Sequence, residues 1–117
     1  MKRILILVQT APYGSAAIPE SARACLGLAT MPLQISYVLA GDAVWALLPA
    51  QDPDPIGASN ALQVIRDLAE MDVALLVEDR ALAERGLSPG DAGEEFTTIT
   101  REQIADLVAN ADAVLTY

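Results

Sequence analysis

The amino-acid sequence predicts an α/β protein: a three-layer α/β/α sandwich built on a five-stranded, mainly parallel sheet. The first observation behind this prediction is the unbroken apolar run at residues 4–8, which is typical of a strand buried on both faces. A second run of this kind occupies residues 73–77. The third observation is that such runs alternate with segments of helical periodicity, which favours right-handed crossovers between parallel strands. A chain of 117 residues predicts a single domain, 1–117.

Predicted strands and helices follow one another along the whole chain. The strands after the first are predicted at 33–40, 73–77, Phe96–Ile99 and 113–117. The helices are predicted at 15–30, 43–48, 58–71, 81–85 and Arg101–Asn110. Residues 51–57 and 87–95 are rich in proline, glycine and acidic residues, and are predicted to be loops.

Helix ends are predicted from capping residues and prolines. The candidate N-caps are Ser15 (with Pro19 or Ser21 as alternative starts), Ser59 or Asn60, and Thr100. Thr100 is followed three residues later by Gln103, which is the pattern of a capping box. Pro32 and Pro49 are expected to end the first helix and the short helix at 43–48, because proline cannot continue a helix.

The charge of the chain argues against nucleic acid as a partner. Sixteen acidic residues against seven basic ones give a net charge of −9, and the basic residues are scattered. Binding to a phosphate backbone needs a basic patch, so we expect no direct contact with nucleic acid. The acidity is that of a solvated surface or, alternatively, of an acidic face that docks a basic partner.

Targeting and membrane signals are not visible in the sequence. No stretch approaches the roughly 18–20 apolar residues of a membrane span. The chain enters its first strand directly after Lys2 and Arg3, without the cleavage pattern of a signal peptide. We therefore expect a cytoplasmic protein that does not contact a membrane.

The apolar content predicts an oligomer. Apolar residues make up 53% of the chain, and a small domain buries only a limited share of its surface on its own. We expect the helix of Trp45 and parts of the helix at 58–71 to lie at subunit contacts, because tryptophan is favoured at interfaces. The alternative is that Trp45 packs in the core of the monomer.

Several kinds of chemistry are excluded or disfavoured by the residues present. The chain has no histidine, so it has no Ser-His-Asp triad, and a single cysteine cannot form an intramolecular disulfide or a thiolate zinc site. That cysteine, Cys25, falls on an apolar helix face, which predicts core packing; a reactive thiol is the alternative. Glycine-rich phosphate motifs are absent and a flavin site has little support, so we expect neither cofactor nor metal.

Candidate site residues follow three of the predicted strands. They are Tyr13, Gly14 and Ser15 after the first strand, Asp42 after the second, and Glu78, Asp79 and Arg80 after the third. The carboxyl ends of parallel strands meet at one edge of a sheet, where ligands tend to bind. We name this set the carboxyl-edge rim.

Two features of the carboxyl-edge rim remain open at this point. Glu78 and Asp79 are either solvated strand ends or an acid/base pair. If the fifth strand is parallel to the first, the carboxylate of Tyr117 joins Asp42, Glu78 and Asp79 and makes the rim negative, which suits a cationic or neutral partner.

Four segments together resemble the DsrE/DsrF family of sulfur-relay proteins, and most closely its DsrF/TusC branch. The segments are MKRILILVQTAPYGS, GDAVWALLPAQDP, LVEDRALAERGLSP and ADAVLTY. The resemblance implies a flavodoxin-like or DsrE-like sandwich in the cytoplasm. It also implies assembly as a homo-trimer or homo-hexamer, or as a hetero-oligomer with DsrE/TusD-like and DsrH/TusB-like subunits. The family handles persulfide sulfur in tRNA 2-thiouridine synthesis or in sulfur oxidation.

The chain departs from the sulfur-carrying members of that family at one position. Those members have a cysteine after the third strand, near the place where this chain has Glu78. A carboxylate cannot carry persulfide sulfur, because the carrier must be a thiolate that exchanges sulfur. We therefore expect a non-catalytic subunit, with a sulfur carrier using Cys25 or a small-molecule-binding module at the carboxyl-edge rim as alternatives.

Overall fold

The computed structural model describes residues 1–48 and 60–117. Within these residues five strands form one sheet, in the order β4-β3-β2-β1-β5, and every neighbouring pair is parallel. The strands are β1 Lys2–Val8, β2 Leu33–Leu39, β3 Ala74–Glu78, β4 Phe96–Ile99 and β5 Ala113–Thr116. The predicted α/β fold class is confirmed.

Helices cover both faces of the sheet. The α-helices are α1 Ala17–Leu28, α2 Ala61–Arg66, α3 Asp79–Glu84 and α4 Arg101–Asn110. Shorter 3₁₀ helices occupy Gly41–Leu47, Asp67–Met71 and Pro89–Ala92. No helix in the two described ranges is long and apolar enough to cross a membrane.

Each face of the sheet has its own apolar core. The larger core packs strand residues such as Ile6, Tyr37 and Val77 against α1, α2 and α3. The smaller core consists of Leu5, Val38, Ile99 and Ile104, the last of which comes from α4. Because successive side chains of β1 point to opposite faces, Leu5 enters one core and Ile6 the other, as the unbroken apolar run predicted.

The first helix begins later than predicted. Residue Ala16 occupies the N-cap position of α1 and has no side-chain capping bond. The predicted cap, Ser15, instead accepts a hydrogen bond on Oγ from the backbone N–H of Ala17 at 3.3 Å. Ser15 therefore stays outside the helix and closes a local turn.

The predicted helix at 58–71 is divided in the structure. Asn60 caps α2 by accepting a hydrogen bond from the backbone N–H of Gln63 at 3.1 Å, while Ser59 lies outside the described residues. The α-helix gives way to the 3₁₀ helix Asp67–Met71, and Asp72 ends it with a φ of 64°. An aspartate is tolerated in this left-handed region because its side chain is short and polar.

Other predicted boundaries shift by small amounts. The short helix predicted at 43–48 is the 3₁₀ helix Gly41–Leu47, and the helix predicted at 81–85 is α3, which starts directly after β3. The loop predicted at 87–95 contains the 3₁₀ helix Pro89–Ala92. Pro49 and the loop at 51–57 lie outside the described residues.

Two predicted placements are confirmed at the ends of α4 and β5. The capping box is complete: Thr100 Oγ1 accepts from the N–H of Gln103 at 3.1 Å, and Gln103 Oε1 accepts from the N–H of Thr100 at 2.9 Å. The strand β5 is parallel to β1. The backbone oxygen of Tyr117 accepts from the N–H of Gln9 at 3.0 Å, which brings Tyr117 to the carboxyl edge of the sheet.

Candidate functional site

The loop after β1 is anchored to α2. Tyr13 is half-buried against the larger core, and its hydroxyl accepts a hydrogen bond from the backbone N–H of Ala61 at 3.1 Å. Gly14 follows with a φ of 87°, which a residue without a Cβ adopts readily, and both Gly14 and Ser15 are exposed. Of the three rim residues in this loop, Tyr13 therefore packs against the core, whereas Gly14 and Ser15 face solvent.

Glu78 is the most buried charged residue of the carboxyl-edge rim. It is the last residue of β3, and its side chain is only 8% exposed. Its Oε2 accepts a hydrogen bond from Nε of Arg101, the first residue of α4, at 3.0 Å. A buried carboxylate is costly without such a partner. Glu78 is therefore a buried ion-pair partner, and its interpretation as a solvated strand end is wrong.

The side chain of Asp79 hydrogen-bonds to the backbone of the next residue. Its Oδ1 accepts from the backbone N–H of Arg80 at the start of α3. A carboxylate in the first turn of a helix interacts favourably with the helix dipole. Glu78 and Asp79 thus have separate partners, and the structure gives no support to an acid/base pair between them.

A wider set of ion pairs extends from Glu78 across the surface. Glu84 of α3 lies at its centre, with Oε1 3.6 Å from Nε of Arg80 and 3.7 Å from Nη2 of Arg101. The other carboxylate oxygen of Glu84 is 3.9 Å from Nη1 of Arg85. Arg85 in turn donates from Nη2 to Oδ1 of Asp42 at 2.8 Å. We call these six residues, Asp42, Glu78, Arg80, Glu84, Arg85 and Arg101, the arginine–carboxylate network.

The network connects four elements at one edge of the sheet. Asp42 lies on the 3₁₀ helix Gly41–Leu47 that follows β2, whereas Glu78 ends β3. Gly41 allows the chain to turn there: its φ is 53°, and a Cβ at this position would lie 3.3 Å from the backbone oxygen of Gln9. The segment after β2 is thereby tied to the C-terminal end of α3, and the end of β3 to the first turn of α4.

The predicted negative charge of this edge is compensated in part. Asp42 and Glu78, two of the carboxylates expected to make it negative, are each paired with an arginine. The network as a whole contains three carboxylates and three guanidinium groups. The expectation of a negative rim therefore depends on Asp79 and the carboxylate of Tyr117, because Arg85 and Arg101 offset the charges of Asp42 and Glu78.

Cys25 is placed where a thiol is least reactive. It is fully buried in α1 and is free of any disulfide. Burial raises the pKa of the Cys25 thiol to about 11, so hardly any thiolate is present near neutral pH. The prediction of core packing is confirmed, and the arrangement disfavours the alternative of a reactive thiol.

The polar groups near Cys25 are satisfied by one another. The hydroxyl of Ser21 donates to the backbone oxygen of Ile18 at 2.9 Å and lies 2.7 Å from the hydroxyl of Tyr37. Because the Ser21 proton is used by Ile18, the Tyr37 hydroxyl donates to Ser21 Oγ. Burial raises the pKa of Tyr37 to about 12 despite this hydrogen bond. The pair is a structural element of the core.

Metal ligation has no visible basis in the described part of the chain. Residues 1–48 and 60–117 contain no group of three or more histidine, cysteine, aspartate or glutamate side chains placed to hold a metal ion. At the carboxyl edge, Asp42, Glu78 and Glu84 are instead engaged with arginines.

Comparison with known proteins decides the family. A profile of the DsrE/DsrF-like family matches residues 2–117, nearly the full chain. This protein belongs to the DsrE/DsrF-like family. Its relatives include the protein TusC of Escherichia coli K12, which is 31% identical over 119 residues and is covered in full, as is this chain. The protein TusC of Shigella sonnei is also 31% identical and that of Escherichia fergusonii 30%, again over the whole of both chains.

Solved structures agree with this assignment. The ychN protein from E. coli superposes on this DsrE/DsrF-like chain with a TM-score of 0.87 at 28% identity, and each chain is covered in full. A protein of unknown function from Methanobacterium thermoautotrophicum gives a TM-score of 0.75 at 12% identity over the same coverage, which shows the fold alone. The predicted resemblance to the DsrF/TusC branch is confirmed by the full-length match to the TusC proteins.

Sequence reasoning missed three members of the network in this DsrE/DsrF-like protein: Glu84, Arg85 and Arg101. A signal for Arg101 was present, since it directly follows Thr100, the predicted cap of a helix that leaves the strand next to β3. For Arg85 the sequence contains a weaker indication, namely its position one turn after Ala81 in the predicted short helix. Its contact with Asp42 depends on the packing of α3 against the 3₁₀ helix Gly41–Leu47.

Proposed function

We propose that this chain is a non-catalytic subunit of a cytoplasmic sulfur-relay assembly that transfers persulfide sulfur, in tRNA 2-thiouridine synthesis or in sulfur oxidation. Its partners are DsrE/TusD-like and DsrH/TusB-like subunits in a hetero-oligomer, or further copies of the chain in a trimer or hexamer. Membership of the DsrE/DsrF-like family and full-length similarity to TusC proteins support this proposal.

The observation that carries the proposal is the ion pair at the end of β3. Glu78 stands near the position at which carrier members of the family have a cysteine, and its carboxylate is bound to Arg101 at 3.0 Å. A carboxylate has no sulfur to form a persulfide and cannot undergo thiol exchange. This position therefore cannot receive sulfur in this chain.

The remaining thiol does not replace the missing carrier. Cys25 is 0% exposed, and its raised pKa leaves it protonated at the pH of the cell. Transfer of sulfur requires a thiolate that a partner thiol or persulfide can approach. With neither Glu78 nor Cys25 able to carry sulfur, the chain contributes surface and shape to a site whose cysteine belongs to another subunit.

Exposed apolar side chains support the assembly part of the proposal. Leu26, Met31, Leu48 and Met71 are between 37% and 55% exposed, and Trp45 is half-buried. A subunit that depends on partners leaves such surface for contacts between chains. We propose that Trp45 and the side of α2 contribute to these contacts and that the exposed members of the carboxyl-edge rim border the partner's cysteine.

Co-purification tests this proposal. A tagged chain is expressed in its native host, and its partners are identified by mass spectrometry while light scattering gives the mass of the complex. We expect a defined oligomer that contains DsrE/TusD-like and DsrH/TusB-like chains or several copies of this chain. A monodisperse 12.3 kDa monomer that retains no partner would contradict the proposal. The variant Trp45→Ala should weaken the complex, whereas Lys2→Ala, at an exposed position of β1, serves as the control.

A further inference from the structure

A pocket of about 420 Å³ opens between α4 and the sheet, on the face opposite to Cys25. This volume is within the range of about 300–1,000 Å³ that is usual for small-molecule sites. No residue of the carboxyl-edge rim lines it. The pocket is therefore separate from the site considered for sulfur relay.

The floor of the pocket is apolar and comes from several elements. Leu5 of β1, Leu76 of β3 and Ile99 of β4 lie on the same face of the sheet, and Leu107 of α4 packs on that face. Leu5 and Ile99 also belong to the smaller core, so the floor is held rigidly. Such a surface favours the apolar body of a ligand.

Polar groups line the pocket on the sheet side. Arg3 and Gln34 are paired in the register of β1 and β2, and Leu5 and Ser36 are paired two residues further along, on the same face. Because residues paired in register share a face, these polar side chains lie beside the apolar floor. Arg3 provides a positive charge at this wall.

Polar groups also line the pocket on the helix side. Gln103, Asp106 and Asn110 are spaced by three and four residues, so they occupy one face of α4. Oε1 of Gln103 is used in the capping box, which leaves its NH₂ group to donate. Asp106 provides a negative charge opposite the wall that contains Arg3.

The two opposite charges are not used by the protein itself. Within residues 1–48 and 60–117, neither the guanidinium of Arg3 nor the carboxylate of Asp106 forms an ion pair, and neither has a side-chain hydrogen bond. Both side chains are exposed where they line the pocket, so they are accessible to a ligand. A pocket with an apolar floor and one unpaired charge of each sign matches a ligand that is apolar in its body and carries both signs.

We propose that this pocket binds a small zwitterion with an apolar body, of the class of free apolar α-amino acids. The ligand carboxylate interacts with Arg3 and the amide of Gln34, and its ammonium group interacts with Asp106. Its side chain rests on Leu5, two residues from Arg3 on the same face of β1, and on Leu107, which follows Asp106 on α4. This proposal is independent of sulfur relay.

Ligand analogues test the proposal directly. Binding of L-leucine, L-methionine and L-phenylalanine to the purified, natively assembled chain is measured by calorimetry and by NMR shifts of amides in β2 and α4. The analogue 4-methylpentanoate lacks the ammonium group, isoamylamine lacks the carboxylate, and glycine lacks the apolar body. We expect each analogue to bind at least about tenfold more weakly than L-leucine, because each loses a charge-assisted contact or the apolar burial.

Matched variants test the residues. Arg3→Gln and Asp106→Asn should each weaken binding of L-leucine about tenfold, whereas Lys2→Gln and Glu102→Gln, charged neighbours that do not line the pocket, should leave it unchanged. Ser36→Phe should abolish binding by filling the pocket, and its melting curve shows whether the fold is intact. If Ser36→Phe fails to fold, Gln34→Trp at the exposed mouth replaces it.

Each outcome of the binding experiments either supports or overturns the proposal. Binding of the amino acids that is lost in the analogues and in the Arg3 and Asp106 variants supports the proposal. No binding at millimolar concentration overturns it, as does binding that is equal for leucine and both singly charged analogues. Shifts confined to residues outside the pocket also overturn it.

Discussion

Nε of Arg101, the first residue of α4, lies 3.0 Å from Oε2 of Glu78, the last residue of β3. The contact joins two elements that are separated by 23 residues in the chain. The parallel pairing of β3 with β4 sets Glu78 opposite Ile99, two residues before Arg101. The capping box at Thr100 then turns the chain so that Arg101 faces the buried carboxylate.

Removal of Arg101 should destabilise the fold through Glu78. In the variant Arg101→Ala, the buried carboxylate loses its partner, which we expect to lower the free energy of unfolding by about 1–2 kcal/mol. This value is below that of a fully buried pair, since the Arg101 side chain is 48% exposed. Urea denaturation at neutral pH measures the change.

Arg80→Ala provides the control for this prediction. Arg80 is 64% exposed and contacts Glu84 at 3.6 Å, so its loss should change stability by less than about 0.5 kcal/mol. Equal effects of Arg80→Ala and Arg101→Ala would show that the buried position of Glu78 has no special weight.

The capping box should make a measurable contribution. Thr100→Ala removes the hydroxyl that accepts from the N–H of Gln103, and we expect a loss of about 1 kcal/mol in unfolding free energy. Thr100→Ser keeps the acceptor and should be close to the wild type. Denaturation of both variants decides this, and a serine variant as unstable as the alanine variant would argue against capping.

Cys25 should be protected from alkylation in the native protein. Because the thiol is buried and its pKa is raised to about 11, iodoacetamide at pH 7.5 should modify the folded chain far more slowly than the chain in urea. Mass spectrometry over time measures both rates. Rapid modification of the native chain would favour the thiol-carrier alternative.

The free energy of unfolding should fall at alkaline pH because Tyr37 and Cys25 ionise more easily in the unfolded chain. Tyr37 ionises near its ordinary pKa of 10.0 when unfolded but only at about 12 when folded, and for Cys25 the values are 9.0 and about 11. Below about pH 8 both groups are protonated in both states, so neither gives a pH dependence. As the pH rises from 9 to 12 the unfolded chain loses its protons first, and each group lowers stability by up to about 1.4 kcal/mol per pH unit within its own window.

Tyr37→Phe separates the two contributions to alkaline unfolding. The variant should lose about 1 kcal/mol at pH 7, because the hydrogen bond to Ser21 is absent. It should also lose less stability than the wild type between pH 10 and 12. Chemical denaturation at a series of pH values measures this, and an unchanged slope would show that Tyr37 does not titrate as a buried group.

Much of the fold is visible in the sequence because its signals are local. The apolar run of β1 predicted a strand buried on both faces, and Thr100 with Gln103 predicted the start of α4. By contrast, the N-cap of α1 is Ala16, which makes no side-chain capping bond and so leaves no signal. The change from α2 to a 3₁₀ helix at Asp67 has no clear residue pattern either.

The candidate site was less predictable because its contacts are long-range. The position of Glu78 at a strand end followed from the sequence, but its burial depends on α4 lying across the sheet. Arg85 reaches Asp42 across 43 residues. The pocket beside Arg3 and Asp106 needs the register of β1 with β2 and the orientation of α4, neither of which is encoded in a short motif.

We propose, as the central claim, that this chain positions sulfur chemistry without carrying sulfur. The most direct test is to supply a persulfide donor to the complex purified from its host and to locate the added sulfur on each chain by mass spectrometry, with Cys25→Ala as a matched variant. We expect the added sulfur on a cysteine of another subunit and equal transfer by the complex that contains Cys25→Ala. A persulfide on Cys25 during turnover, or loss of transfer in a folded and fully assembled variant complex, would contradict the claim.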